Sequence, residues 1–155
     1  MVVSRQRLHA GFAAPARRPG DHAGRRPMAQ LVLDPHLAAV PAARRWVVGV
    51  LSRCCTTERF AVDEDVVELL TSEVVANAVR HGEGPVTIDV ACGADDVRIA
   101  VTDAGTDTPV VRHVGPEATG GRGMALLDHL ATRWGLDRAQ PPATGKTVWF
   151  RLSGA

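Results

Sequence analysis

Residues 66 to 82 carry apolar and polar side chains at the spacing of an α-helix. The apolar positions that recur three or four residues apart are Val67, Leu70, Val74 and Ala78. At about 3.6 residues per turn these positions form one continuous line. The pattern therefore predicts a long helix with one buried face.

A second line on the same helix is polar. Glu73, Asn77 and His81 lie on successive turns, so a carboxylate, a carboxamide and an imidazole are stacked along one side. These groups bind ions and phosphates, but they are also common on the solvent side of an ordinary helix. The stripe therefore needs support from other parts of the chain before it indicates a site.

Strands are predicted where apolar and polar residues alternate. Residues 86 to 90 and 97 to 103 alternate on either side of a Gly/Asp turn, which predicts an antiparallel hairpin that ends at Asp103. A shorter strand over 30 to 33 is stopped by Pro35, which cannot donate to a strand ladder.

Two further helices and two closing strands complete the pattern. Residues 42 to 53 and 123 to 132 have helical spacing, and residues 133 to 136 and 147 to 152 read as strands. We therefore predict an α+β fold, a two-layer sandwich with helices packed on one face of a mainly antiparallel sheet.

The first 27 residues differ in composition from the rest. Residues 1 to 30 hold six arginines (Arg5, Arg7, Arg17, Arg18, Arg25, Arg26) and one acid, and the segment is rich in Gly, Pro and Ala. Such a segment buries too little apolar surface to order itself, so we predict a disordered tail over 1 to 27 and one folded domain over 28 to 155. The tail is either an overlong start or a basic arm for an acidic partner.

Composition excludes several classes of protein. A formal charge of +1, with the basic excess confined to the tail, does not predict direct nucleic-acid binding. No apolar run approaches the roughly 20 residues needed to cross a bilayer, and no secretory signal is present, so we predict no membrane contact. Three cysteines without metal-ligand spacing indicate reduced thiols and a cytoplasmic protein.

Four short motifs occur in a recognisable order. They are Glu73-x-x-x-Asn77, Asp103-x-Gly105, Gly121-x-Gly123 and a late Thr147. This order resembles the ATP-binding boxes of the GHKL superfamily, and most closely those of bacterial anti-sigma-factor serine/threonine kinases and their stand-alone relatives. The resemblance covers about residues 28 to 153 and implies a Bergerat-type sandwich with ATP and Mg²⁺ as cofactors.

The resemblance implies that Asp103 accepts a hydrogen bond from the exocyclic amine of adenine, and that Gly105 lets the backbone approach the ring. It implies that Thr147 is a second adenine contact, usually through water. Without the other motifs, Asp103 is better explained as a turn acid and Thr147 as an ordinary strand residue. Lys146, the only lysine of the chain, is given no role.

The glycine-rich segment before the third helix predicts phosphate binding. Its candidate residues are Gly120, Gly121, Arg122, Gly123 and Met124. Successive backbone amides and the positive end of a helix dipole receive phosphate oxygens. The side chain of the arginine either adds donors to the phosphates, covers the site, or is an ordinary surface group.

Roles on the polar stripe follow from the resemblance. Asn77 is the expected Mg²⁺ ligand, and Glu73 the general base near the γ-phosphate. Arg80 and His81 either contact phosphates or simply end the helix, with Gly82 as a left-handed cap.

Two features depart from the family pattern. Asp107 stands where many members have a second glycine, and an acid there repels the triphosphate unless it turns outward. The segment 106 to 119, which corresponds to the ATP lid, is short and contains two prolines. Both departures bear on lid closure and turnover more than on adenine recognition.

These observations predict a free-standing Mg-ATP-dependent serine/threonine kinase of anti-sigma-factor type. Its partners would be an anti-anti-sigma-type protein substrate and a sigma factor, and the family also suggests a homodimer. The alternative is a regulatory module that binds a protein in a nucleotide-dependent way with little or no kinase activity. A structural domain whose motifs arise by chance would need several independent coincidences in the right order.

Overall fold

The computed structural model describes residues 27 to 54, 61 to 106 and 122 to 154. Within these ranges, three α-helices pack on a sheet of five strands, and every neighbouring pair of strands is antiparallel. This confirms the predicted α+β sandwich.

The strands are β1 (Ala29–Leu33), β2 (Val86–Cys92), β3 (Asp96–Asp103), β4 (Arg133–Arg138) and β5 (Lys146–Ser153). They lie in the order β1-β2-β3-β5-β4. The β2–β3 hairpin forms as predicted, with its turn closed by a hydrogen bond from Gly93 N to Asp96 O. Because β5 inserts between β3 and β4, β5 pairs with the whole of β3, and its first residue lies opposite the last residue of β3.

The helices are α1 (Val40–Cys54), α2 (Glu64–His81) and α3 (Arg122–Leu130), and a short 3-10 turn precedes α1. The α2 helix begins at Asp63, whose side chain accepts hydrogen bonds from the amides of Asp65 and Val66. Such a cap satisfies amides that have no partner inside the helix.

The core lies between the three helices and the inner face of the sheet. The apolar line of α2 is buried as predicted, with Val67 and Leu70 fully excluded from solvent. Successive strand residues point to opposite faces, so Ile99 and Phe150 enter the core while their neighbours face outward. The same alternation puts Asp103, the last residue of β3, on the inner face.

Two expectations need correction. Gly82 is not a left-handed cap, since its φ is −94° and its backbone is extended. Glycine suits this position because a Cβ would collide with the carbonyl oxygen of Ala78 and come within 2.5 Å of Asp103 Cγ. Cys92 is disulfide-bonded, which contradicts the expectation of three reduced thiols.

Other predictions fall outside the described residues. These are the tail through residue 26, most of the lid with Asp107, and the glycines at 120 and 121. Across the described ranges, no helix combines the length and the apolar character needed to cross a membrane.

Candidate functional site

Asp103 is the last residue of β3, and it lies beside the C-terminal end of α2. It is 4% exposed, and its Oδ1 accepts a hydrogen bond of 2.7 Å from the amide of Gly105. The following residue, Ala104, donates its amide to the carbonyl oxygen of Glu83 at 2.8 Å. The turn after β3 is therefore tied to the segment that follows α2, and the carboxylate is held in a fixed orientation.

Lys146 lies directly opposite Asp103 on the neighbouring strand β5. Its Nζ is 3.0 Å from Asp103 Oδ1, and the two side chains are only 3% and 2% exposed. A buried carboxylate is costly without a counter-ion, and this pair supplies one. No role was predicted for Lys146 from the sequence, although it is the only lysine of the chain and follows a glycine.

Thr147 faces away from Asp103. Its cross-strand partner is Thr102, and the two hydroxyl oxygens are 2.8 Å apart on the outer face of the sheet. Because neighbouring residues of a strand point to opposite faces, Lys146 rather than Thr147 shares the inner face with Asp103. Thr147 and Asp103 therefore lie on opposite faces of the sheet, and the role of Thr147 as the second adenine contact stays a prediction.

Three glycines surround Asp103 where side chains have no room. A Cβ at Gly82 would lie 2.5 Å from Asp103 Cγ, and one at Gly105 would lie 2.9 Å from Oδ1. Gly145 has φ of +123°, and a Cβ there would be 2.6 Å from the carbonyl oxygen of Asp103. Two of these glycines therefore lie against the carboxylate of Asp103, and the third lies against its backbone carbonyl.

The second oxygen of Asp103 is the free acceptor of this corner. Among the described residues, the hydrogen bonds to this side chain both go to Oδ1, from Gly105 and from Lys146. Oδ2 has no protein donor there. An ionised acceptor beside glycine-lined backbone fits the amino group of a flat heterocycle such as adenine.

A second cluster forms where α3 begins. An ideal Cβ on Gly123 would lie 3.0 Å from Glu73 Oε2 and 3.3 Å from Asn77 Nδ2. Both α2 side chains are half-buried. The structure thus brings the polar stripe of α2 against the first turn of α3, the end of a helix that favours anions.

Among the described side chains, those of the remaining candidate residues are not part of the clusters around Asp103 and Glu73. Arg80 and His81 are exposed at the end of α2. Met124 is 2% exposed, so its side chain belongs to the core and only its backbone can serve a ligand. The backbone of Arg122 opens α3, and the roles predicted for Gly120 and Gly121 stay predictions.

The donor set of the second cluster suits a hard cation that retains water. Within the described part of the chain, no three His, Cys, Asp or Glu side chains gather as a metal site. A carboxamide and a carboxylate one turn apart do fit Mg²⁺, which takes few protein ligands and completes its shell with water and phosphate oxygens.

Two comparisons with known proteins found similarities. A family model described as the histidine kinase-like ATPase domain matches residues 33 to 152. Among solved structures, the chain is similar to the histidine kinase domain of a blue-light activated histidine kinase from Erythrobacter litoralis EL346, with 18% identity and a TM-score of 0.45. That alignment covers 86% of this chain and 65% of the other. No curated protein matches the chain.

Proposed function

The chain belongs to the family of histidine kinase-like ATPase domains, and from this premise we propose that it binds ATP together with Mg²⁺ between α2, α3 and the end of β3. One observation carries the proposal: among the described residues, Oδ2 of the buried, ion-paired Asp103 has no protein donor, and it lies in a corner lined by glycine backbone. Such a site recognises an amino group on a flat ring.

In this proposal, one group of residues binds the adenine and another binds the phosphates. Asp103 accepts the adenine amine, and Gly105 leaves the ring room beside the backbone. The amides around Gly123 and the positive end of α3 hold phosphate oxygens. Asn77 is the protein ligand for Mg²⁺, whose role when bound is to neutralise charge on the phosphates.

Phosphoryl transfer is the reaction that this arrangement favours. Glu73 lies one turn before Asn77 and touches the first turn of α3, so its carboxylate is close to the proposed phosphate site. We infer that it takes the proton from a serine or threonine hydroxyl of a protein substrate. The hydroxyl oxygen then bonds to the γ-phosphorus, the bond to the β-γ bridging oxygen breaks, and ADP leaves.

The resemblance to anti-sigma-factor kinases supports a specific biological role. The protein substrate would be an anti-anti-sigma-type antagonist, and the chain would regulate transcription by holding a sigma factor in the cytoplasm. A homodimer would be the working form. These assignments rest on the order of sequence motifs.

The kinase proposal is tested by separating binding from transfer. Purified antagonist proteins are incubated with the chain and γ-labelled ATP, and phosphoserine and phosphothreonine are identified by mass spectrometry. Glu73→Ala should bind ATP but lose transfer by about 100-fold or more, the usual contribution of a general base. The control, Glu68→Ala, changes another half-buried glutamate of α2 and should transfer normally. Normal transfer by Glu73→Ala would refute the base assignment.

A second function is favoured by one feature of the sequence. Asp107 replaces a glycine that many members carry next to the triphosphate, and this change disfavours turnover. The chain would then be a module whose affinity for a partner changes between ATP and ADP. A partner that binds differently with the two nucleotides, without any phosphorylated product, would select this function over the kinase.

A further inference from the structure

Lys146 has an unusual place in this chain. It is the only lysine beside 17 arginines, and it is 4% exposed. Lysine is seldom buried unless it is paired, and here its ammonium contacts Asp103 Oδ1 at 3.0 Å. A compact ammonium fits between two strands where a planar guanidinium needs more space.

The two carboxylate oxygens of Asp103 differ in their hydrogen-bond partners. Oδ1 accepts from both Lys146 Nζ and the Gly105 amide, at 3.0 Å and 2.7 Å. With two donors on Oδ1, the open lone pairs are on Oδ2. A carboxylate accepts hydrogen bonds and donates none.

We propose that Lys146 determines base specificity by making Asp103 an obligate acceptor, so that the site takes purines with a 6-amino group and rejects those with a 6-oxo group. This inference rests on the proposed ATP binding. Lys146 acts through Asp103, and it is therefore a positioning residue.

Removal of the lysine changes the hydrogen bonds that Asp103 can make. A buried carboxyl group that has lost its counter-ion tends to become neutral by taking up a proton. A neutral carboxyl group both donates and accepts, so it binds a 6-oxo group as well as a 6-amino group. Loss of Lys146 should therefore lower the preference for adenine, beyond any general loss of affinity.

The test is a calorimetric titration with Mg-ATP and with Mg-ITP, whose hypoxanthine base carries the 6-oxo group. The native chain should prefer ATP by about 10- to 100-fold, the range for one buried group left unpaired. Lys146→Met keeps a long apolar chain without charge and should bring the preference below about 5-fold. Lys146→Arg keeps the charge but needs more space, so it should restore the preference only in part, to a ratio between those of Lys146→Met and the native chain.

Matched measurements separate this role from a structural one. Arg133→Met removes an exposed charge from the neighbouring strand β4 and should leave the ATP/ITP ratio unchanged. If Lys146 had only a structural role, Lys146→Met would lower the affinities for ATP and ITP equally. An unchanged ATP/ITP affinity ratio would therefore overturn the inference. If the native chain binds neither nucleotide, the proposed function itself fails.

Two further measurements keep the test decisive if Lys146→Met does not fold. Lys146→Gln retains a hydrogen-bond donor without charge and carries the same expected loss of preference. In the native chain, ¹⁵N-lysine labelling gives a single side-chain ammonium signal, because there is one lysine. That signal should shift when ATP binds at the other oxygen of Asp103, and a signal unmoved at saturating ATP would contradict the inference.

Discussion

Gly123 of α3 packs closely against Glu73 of α2, since a Cβ at this glycine would lie 3.0 Å from Glu73 Oε2. The contact joins the two halves of the proposed phosphate site. One half is the amide-bearing first turn of α3, and the other is the polar stripe of α2. Glycine allows the backbone of one helix to approach the functional side chains of the other.

Gly123→Ala should therefore weaken nucleotide binding more than it weakens the fold. The added methyl group pushes Glu73 and Asn77 away from α3, while alanine raises helix propensity by about 1 kcal/mol. We expect Mg-ATP affinity to fall by about 10-fold or more, because ligand groups are displaced. The free energy of unfolding should change by less than about 1 kcal/mol.

Gly49→Ala is the matched control for this change. Gly49 is also helical, and the nearest atom to its added Cβ would be an Arg53 nitrogen at 3.7 Å, an ordinary contact. This variant should be more stable than the native chain by about 0.5–1 kcal/mol and should bind ATP normally. Equal ATP affinity in both variants would show that the Gly123 contact does not shape the site.

Gly145 and Gly84 permit a test of the contact with Asp103. Both have positive φ, +123° and +66°, so alanine is strained at either position. A Cβ at Gly84 would meet its nearest atom at 3.6 Å, but one at Gly145 would be 2.6 Å from the Asp103 carbonyl oxygen. Gly145→Ala should therefore cost about 1–3 kcal/mol more than Gly84→Ala in urea unfolding.

The same pair of variants should differ in ligand binding. Gly145→Ala displaces the end of β3 and should reduce ATP affinity together with stability. Gly84→Ala should reduce stability alone. Similar unfolding midpoints and similar ATP affinities for the two variants would contradict the close packing around Asp103.

The cap of α2 gives a prediction about stability alone. Asp63 Oδ1 accepts from the amides of Asp65 and Val66 at 3.0 Å and 3.3 Å. Asp63→Ala should lower the free energy of unfolding by about 1 kcal/mol because these amides lose their partner. ATP affinity should not change, since the cap lies at the opposite end of α2 from the site. Asp95→Ala, in the exposed β2–β3 turn, is the control and should be neutral within about 0.5 kcal/mol. Equal stability of the two variants would rule out the cap.

Much of the fold was predictable because its periodicity is local. The apolar line of α2 and the alternation of β2 and β3 depend only on neighbouring residues, and both were predicted correctly. The resemblance implied that Glu73, Asn77 and Gly123 serve one phosphate site, and these roles stay predictions. The contact distances between these residues needed the packing of α2 against α3.

Other features could not be predicted from the sequence because they depend on long-range pairing. Lys146 and Thr147 are adjacent in sequence, and only the pairing of β5 with β3 shows which one faces Asp103. A shift of one residue exchanges the two faces of a strand, so strand propensity alone cannot distinguish them. From the sequence, Gly82 was predicted to be a left-handed helix cap. The structure instead explains the glycine by the close approach of Asp103, which lies 21 positions later in the chain.

The central claim is that Asp103 and its partner form the adenine end of an ATP site. The most direct measurement is a calorimetric titration with Mg-ATP of the native chain and of the double variant Asp103→Asn, Lys146→Met. The double variant removes both charges, so neither is left buried and unpaired. Thermal unfolding of both proteins checks that the fold is retained. We predict binding of ATP over GTP by the native chain, and loss of ATP affinity by about 100-fold or more in the folded double variant. Undiminished ATP binding by that variant, or no binding by the native chain, would contradict the account.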